Sequence, residues 1–249
     1  MWRYLPVLLL LCLWQVLCFL GTVPNYVLPS PVEIVEGLWT LLVTGMPPGH
    51  LLHNHILYSL YRVAWGFSIA CGLGIPLGLL MGWFPSFHRV LSPIVELIRP
   101  IPPLAWLPIA ILWLGIGMRS AAFIIFLGAF FPVLLNTASG VLSVSPTLID
   151  AAKTLNATQK DIFFKVLLPG SLPSIFVGMR VGMGVAWMTL VAAEFSGVKD
   201  GYGLGFMIMT ARDIQKPDQI LAGMLVIGII GFIIDWLFRA WESKIRPCV

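Results

Sequence analysis

Long apolar runs separated by short polar ones set the plan of this chain. A helix rises about 1.5 Å per residue, so about 20 apolar residues are needed to cross a bilayer core. Six stretches approach that length: Leu5–Leu20, Tyr58–Trp83, Val90–Leu114, Ala121–Leu142, Ser171–Phe195 and Ile220–Trp241. The third is interrupted by Pro100, Pro102, Pro103 and Pro108, each of which removes a backbone donor. It reads as a broken span. The first sits behind Arg3 as a signal-peptide core would, but no small-x-small site follows between Gly21 and Asn25, so it reads as a membrane helix. The pattern predicts an all-α, polytopic transmembrane helical bundle of about six spans, a single permease-sized domain over residues 1–249.

Composition sharpens this. The chain is 59% hydrophobic and 10% charged, whereas a soluble domain carries roughly 25% charged residues. Too little charge is available to solvate a globular surface, so most of the exterior faces the lipid bilayer. The net charge of +4 is spread along the chain, which argues against nucleic acid as a partner. Lys and Arg collect on cytoplasmic loops. With the N-terminus inside, Arg3, Arg89, Lys153, Lys160, Lys165, Arg239, Lys244 and Arg246 are cytoplasmic, while Arg119, Lys199, Arg212 and Lys216 are outside. Both termini are therefore expected in the cytoplasm. Cys12, Cys18, Cys71 and Cys248 show no disulfide or metal spacing. His50, His53 and His55 have no carboxylate or Cys at ligand spacing, so no metal site is expected there.

Two loops carry helix signals. Ser30-Pro31-Val32-Glu33 has Ser at the N-cap, Pro at the first helical position and Glu three residues after the cap. Val32, Val35, Leu38, Trp39 and Leu42 follow at helical spacing, which predicts an amphipathic segment over about 30–44 on the outer membrane surface. The cytoplasmic loop over about 143–173 repeats the device at Ser145-Pro146. Leu148, Ala151, Ala152 and Leu155 then share one face. Asn156 suits a left-handed helix end, and Thr158 with Asp161 signals a second cap. Ile162, Phe163, Val166 and Leu167 form the next apolar face, which Pro169 is expected to end. Two short capped helices joined by a tight turn suit a docking element for a soluble partner; packing under the chain's own bundle is the alternative.

Within the spans, Gly66, Ala70, Gly74, Gly78 and Gly82 recur every four residues, and Gly178, Gly182 and Ala186 repeat the device. Small residues at this spacing let helix backbones approach closely, in helix packing or along a pathway. Glu96 and Arg99 are three apart and can pair on one helix face. Charge in hydrocarbon is costly and faces protein or a cavity. Glu96, Arg99, Pro102 and Pro103 are therefore read as bordering a translocation pathway or its gate, with a structural kink as the other reading. Glu194, near the outer end of the fifth span, either meets the solute or a docked protein, or pairs with an Arg.

Asp150-Ala151-Ala152, then Leu155-Asn156-Ala157, then Leu168-Pro169 resembles the EAA loop of binding-protein-dependent ABC importer permeases. Asp150 stands where that pattern has Glu, and Asn156 where it has Gly. Glu96-Leu-Ile-Arg99-Pro100-Ile-Pro102-Pro103-Leu-Ala-Trp106-Leu-Pro108 is similar to the broken third helix of the nitrate/sulfonate/taurine branch, as is Ala192-Ala193-Glu194 with Gly201-Tyr-Gly203-Leu-Gly205. The resemblance implies a type I ABC importer permease-like (MetI-like) fold in a prokaryotic cytoplasmic membrane. It implies a second permease copy, usually a homodimer, with ABC ATPase subunits on the cytoplasmic loops and an extracytoplasmic solute-binding protein outside. The solutes of that branch include nitrate, sulfonates, taurine and bicarbonate. The chain has no G-x-x-x-x-G-K-[ST] phosphate loop, so the permease is expected to be non-catalytic and to bind no cofactor, with ATP and Mg used by the partner ATPase. An ion-coupled secondary transporter is the rival; it needs coupling-ion ligands near mid-membrane, where carboxylates are scarce.

Overall fold

The computed structural model of the chain describes residues 5–21, 24, 27–47, 49–195 and 201–245, and every regular element among them is helical. In chain order these are α1 (Leu5–Phe19), α2 (Pro31–Val43), α3 (Leu52–Trp83), α4 (Pro85–Ile98), α5 (Leu107–Leu114), α6 (Met118–Leu142), α7 (Pro146–Thr154), α8 (Gln159–Ile162), α9 (Leu168–Phe195), α10 (Leu204–Asp213) and α11 (Pro217–Ile245).

Four continuous helical stretches have the length and hydropathy of a span: Leu52–Trp83, Met118–Leu142, Gln159–Phe195 and Pro217–Glu242. The broken third span is indeed broken, because Pro85–Ile98 and Pro103–Leu114 meet at 83°. The first apolar stretch forms α1, 15 residues long, or about 22 Å of helix against a hydrocarbon core of about 30 Å.

One boundary differs in an informative way. Pro169 does not end a helix; the chain stays helical from Gln159 through Pro169 and Pro173 to Phe195. A proline inside a helix withholds a donor from the carbonyl four residues back and crowds it. For Pro169 that carbonyl belongs to Lys165, inside a π-helical turn over Phe163–Leu167. A π turn widens the helix locally and re-spaces its bonds, which makes room for the ring.

The described chain forms two compact units. The first comprises Met1–Leu60 with Glu194–Ile230. Its α2 starts with a full capping box: the Ser30 amide donates to Glu33 Oε2 at 2.7 Å, and the Glu33 amide to Ser30 Oγ at 3.3 Å. Ile34, Gly37 and Leu41 are buried, while Val32, Val35 and Trp39 on the other side are exposed. α2 thus carries two apolar faces, one packed on protein and one free for an apolar surroundings. Gly37 lies against the start of α11, where an added Cβ would come within 3.0 Å of the Asp218 carbonyl.

The second unit comprises Tyr61–Ala193 with Gly231–Val249, and α6 is its central stave. Gly66, Gly74, Gly78 and Gly82 of α3 face Ala122 and Ile125, Val133, Leu134 and Thr137, and Val141 of α6 in that order. From the other side, Gly178 and Gly182 of α9 lie against Pro132, Asn136 and Ala129. Ala70 and Ala186 are fully buried. α6 answers in kind, with its own Gly128 against Thr189 and Gly140 against Ser174. Without a hydrophobic force between helices in lipid, close backbone approach of this sort supplies the packing.

Candidate functional site

The loop after α6 is built turn by turn. Ser145 occupies the N-cap of α7 and Pro146 its first turn, although the Ser145 side chain makes no capping bond. α7 closes on a Schellman motif: the Asn156 amide donates to the Lys153 carbonyl at 2.9 Å and the Ala157 amide to the Ala152 carbonyl at 3.0 Å. Asn156 takes the left-handed conformation this requires, with φ of 55°. Two residues on, the Asp161 amide donates to Thr158 Oγ1 and the Thr158 amide to Asp161 Oδ2, both at 3.2 Å. Lys165 Nζ lies 2.6 Å from Asp161 Oδ1, and Lys153 Nζ 3.0 Å from Asp150 Oδ1.

The face expected from Leu148, Ala151, Ala152 and Leu155 divides. Ile149, Ala152 and Ala157 pack on the cluster of Val141, Val144, Ile162 and Leu167. Leu148, Leu155 and Phe164 stay exposed, Leu155 at 83%. Asp150 and Ala151 are exposed beside them. A short ordered hairpin, anchored by its inner face, therefore presents bare leucines outward.

The bent span borders a cavity of the second unit. α4 stops at Ile98, Arg99 follows as its C-cap, and Pro103 opens a 3-10 turn that leads into α5. Arg99, Pro103 and Trp106 line a cavity of about 500 Å³ together with Phe131, Asn136 and Ser139. Arg99 and Ser139 also line an adjoining cavity of about 290 Å³, in which Glu96, Ser92 and His88 take part. Glu96 and Arg99 do not pair. Glu96 accepts from Ser92 Oγ at 3.1 Å one turn earlier, while Arg99 lies beyond the last residue of α4. Pro102 is extended and exposed and is not among the cavity-lining residues. Pro132 of α6 borders the larger cavity and has no N–H to give the Gly128 carbonyl; the Asn136 side chain donates to the Pro132 carbonyl at 2.8 Å.

Glu194 is fully buried in the first unit. Its carboxylate accepts from Ser59 Oγ at 2.8 Å and from the Gly205 amide at 2.8 Å, and Ser59 Oγ in turn accepts from the Leu204 amide at 2.9 Å. His55 Nδ1 lies 3.0 Å from the Gly203 amide and 2.9 Å from its carbonyl, and the tautomer selects between them. His50 Nδ1 is 3.0 Å from the Gly201 carbonyl. Tyr202 stacks between His50 and Tyr58 at 4.3 and 4.8 Å. Gly203 cannot carry a side chain here, because a Cβ would fall 2.7 Å from the Glu194 carboxyl. These residues clasp the segment 201–205 onto the start of α3. Residues 196–200, which follow α9, lie outside the described residues.

Arg180, Asp235, Arg239 and Glu242 engage one another. Arg180 reaches Asp235 at 3.2 Å and Glu242 at 2.8 Å, and Arg239 reaches Asp235 at 2.7 Å. Sequence reading passed over Arg62, which is 1% exposed and is the largest fully buried side chain among the described residues. Its position inside an apolar run was the available signal.

Comparison with known proteins points one way. The family model for the binding-protein-dependent transport system inner membrane component matches residues 74–247. An ABC transporter permease protein of Methanocaldococcus jannaschii is 43% identical over 232 residues, covering 93% of this chain and 86% of the relative. The taurine transport system permease protein TauC of Escherichia coli is 39% identical over 241 residues, covering 96% and 86%. Among solved structures, a chain of the MetNI methionine ABC transporter superposes with a TM-score of 0.63 at 20% identity, over 88% of this chain and 98% of that one, which establishes the shared fold.

Proposed function

Because the chain belongs to the family of binding-protein-dependent ABC importer permeases, on its nitrate/sulfonate/taurine branch, we propose that it forms the membrane path of an importer driven by partner ATPases. The observation that carries this reading is the hairpin of α7 and α8. Leu148 and Leu155 are exposed on an otherwise ordered, capped element, as side chains that meet a soluble partner would be. ATPase subunits dock there from the cytoplasm, two permease copies pair, and a solute-binding protein delivers from outside. The chain itself hydrolyses nothing and binds no nucleotide. Drawing the ATPases together moves the hairpins and exposes the path first to one side and then to the other.

The solute is a small anion such as a sulfonate, taurine, nitrate or bicarbonate. The support is Arg99, the one charged side chain among those lining the 500 Å³ cavity, together with the taurine relative. An Arg99→Ala permease, expressed normally, is expected to transport at least tenfold more slowly, the effect of about 1.4 kcal/mol. Normal uptake by that variant would remove Arg99 from the path.

The docking reading is tested by tagged purification from native membranes with an assay of co-purifying ATP hydrolysis. A Leu155→Glu change puts a charge where an apolar contact is required, at a cost of several kcal/mol, roughly, in the complex. Since Leu155 is 83% exposed, the permease alone is expected to fold normally. Co-purified ATPase should fall at least tenfold, by about 1.4 kcal/mol or more. Undiminished ATPase with both Leu148→Glu and Leu155→Glu would show that the hairpin is not the docking element.

A further inference from the structure

A groove of about 610 Å³ runs along α3 and α6 in the second unit, and the importer reading gives it no task. Tyr61, Trp65, Ile69, Leu73, Phe123 and Phe126 line it, and Arg119 lines it as well. Gly66 meets Ala122 and Ile125, and sixteen residues on Gly82 meets Val141, so the two helices run parallel. Tyr61 and Arg119 therefore share one end of the groove, a few residues before that first contact. From Tyr61 to Leu73 is about 18 Å of helix, against about 15 Å for one leaflet of a 30 Å core. The groove is thus polar at one end and apolar through the depth of a leaflet.

Arg119 distinguishes this face from ordinary lipid-exposed surface. It is exposed and has no carboxylate partner among the described residues. Within the continuous spans, Arg180 and Arg239 each have one within 3.2 Å. Tyr61 and Trp65, packed edge to face with centroids 6.3 Å apart, are aromatic residues of the kind that sit at headgroup level. A free cation at an aromatic mouth, followed by an apolar channel one leaflet deep, complements an anionic phosphodiester carrying an acyl chain. We propose that this groove binds an anionic phospholipid, its phosphate at Arg119 and one acyl chain along Trp65, Ile69, Leu73 and Phe126. The groove touches the bent span only at its end, Leu114, and shares no lining residue with the cavity at Arg99 or with the hairpin, so it stands or falls independently of the transport reading.

The test is native mass spectrometry of the full-length permease, purified in detergent and titrated with equimolar phosphatidylglycerol and phosphatidylcholine of identical chains. Wild type should retain phosphatidylglycerol in preference, and Arg119→Gln should cut that preference about fivefold, the worth of one basic residue near an anionic lipid. Ile69→Trp, which fills the channel, should reduce retention of both lipids. An unchanged preference in Arg119→Gln overturns the headgroup assignment. In parallel, Trp65→Cys is oxidised in membranes beside the wild type. A permease–permease crosslink specific to the variant would show that a second copy covers the groove, and would overturn the lipid site.

Discussion

A Glu194→Ala permease is expected to lose about 2–6 kcal/mol of stability, because the change strands two buried donors at once at about 1–3 kcal/mol each. Ser59 Oγ and the Gly205 amide both give their hydrogen bonds to this carboxylate. Neither finds water, since Ser59 and Gly205 are buried. Glu194→Gln keeps an acceptor oxygen and should cost less than half as much. The measurement is thermal unfolding of the detergent-purified protein, where each kcal/mol moves the midpoint by about 2–4 °C for a chain of this size. Equal midpoints for wild type and Glu194→Ala would mean that the clasp holds nothing. A second readout follows from the geometry: with the clasp open, segment 201–205 should become a site of limited proteolysis.

The other large effect is expected at Gly78. A Cβ there would sit 2.6 Å from the Leu134 carbonyl oxygen and from Thr137 Cβ. The obstacle includes backbone, so rotamer changes cannot relieve it, and the helices α3 and α6 must separate along their whole seam. Overpacking a core by a methylene or two costs about 1–3 kcal/mol, and Gly78→Leu adds more than that to a contact with no slack. We expect no monodisperse Gly78→Leu protein on size exclusion of detergent extracts. Gly72, on the same helix, is exposed and has no atom within 4 Å of its virtual Cβ, so Gly72→Leu should behave as wild type. Equal yields of the two variants would refute the seam.

Features governed by short-range spacing were legible in the sequence. The capping signals at Ser30 and Thr158, the left-handed Asn156, the proline break after Arg99 and the apolar lengths all depend on residues within a turn or two of each other. Each of these appears in the structure, except that the first apolar stretch forms a helix of 15 residues, short of a span. What escaped depends on partners far away in the chain. Ser59 and Glu194 are 135 residues apart, and His55 and Gly203 148, so no periodicity links them. The histidines were visible as a cluster, but their carbonyl partners were not. Glu96 and Arg99 illustrate the opposite error: the spacing suits a pair, but Glu96 accepts instead from Ser92 one turn earlier on its own helix. The continuity of α9 through Pro169 was hidden too, since a π turn relieves a proline clash without leaving a composition signal.

That continuity has a mechanical consequence. From Gln159 to Phe195 the chain is a single rod of 37 residues, about 55 Å at helical rise. Its near end is fixed by the Thr158–Asp161 cap, and its shaft is meshed with α6 through Gly178 and Gly182. A load applied at the cap cannot be absorbed by a loop, because none intervenes. The rod's weak points are the π turn at Phe163–Leu167, where the backbone bonds are already re-spaced, and Pro173, which withholds a donor inside the shaft. On the coupling role proposed for the hairpin, a displacement there would reach the shaft as tilt, with the glycine seam as fulcrum and these two weak points setting how much of it arrives.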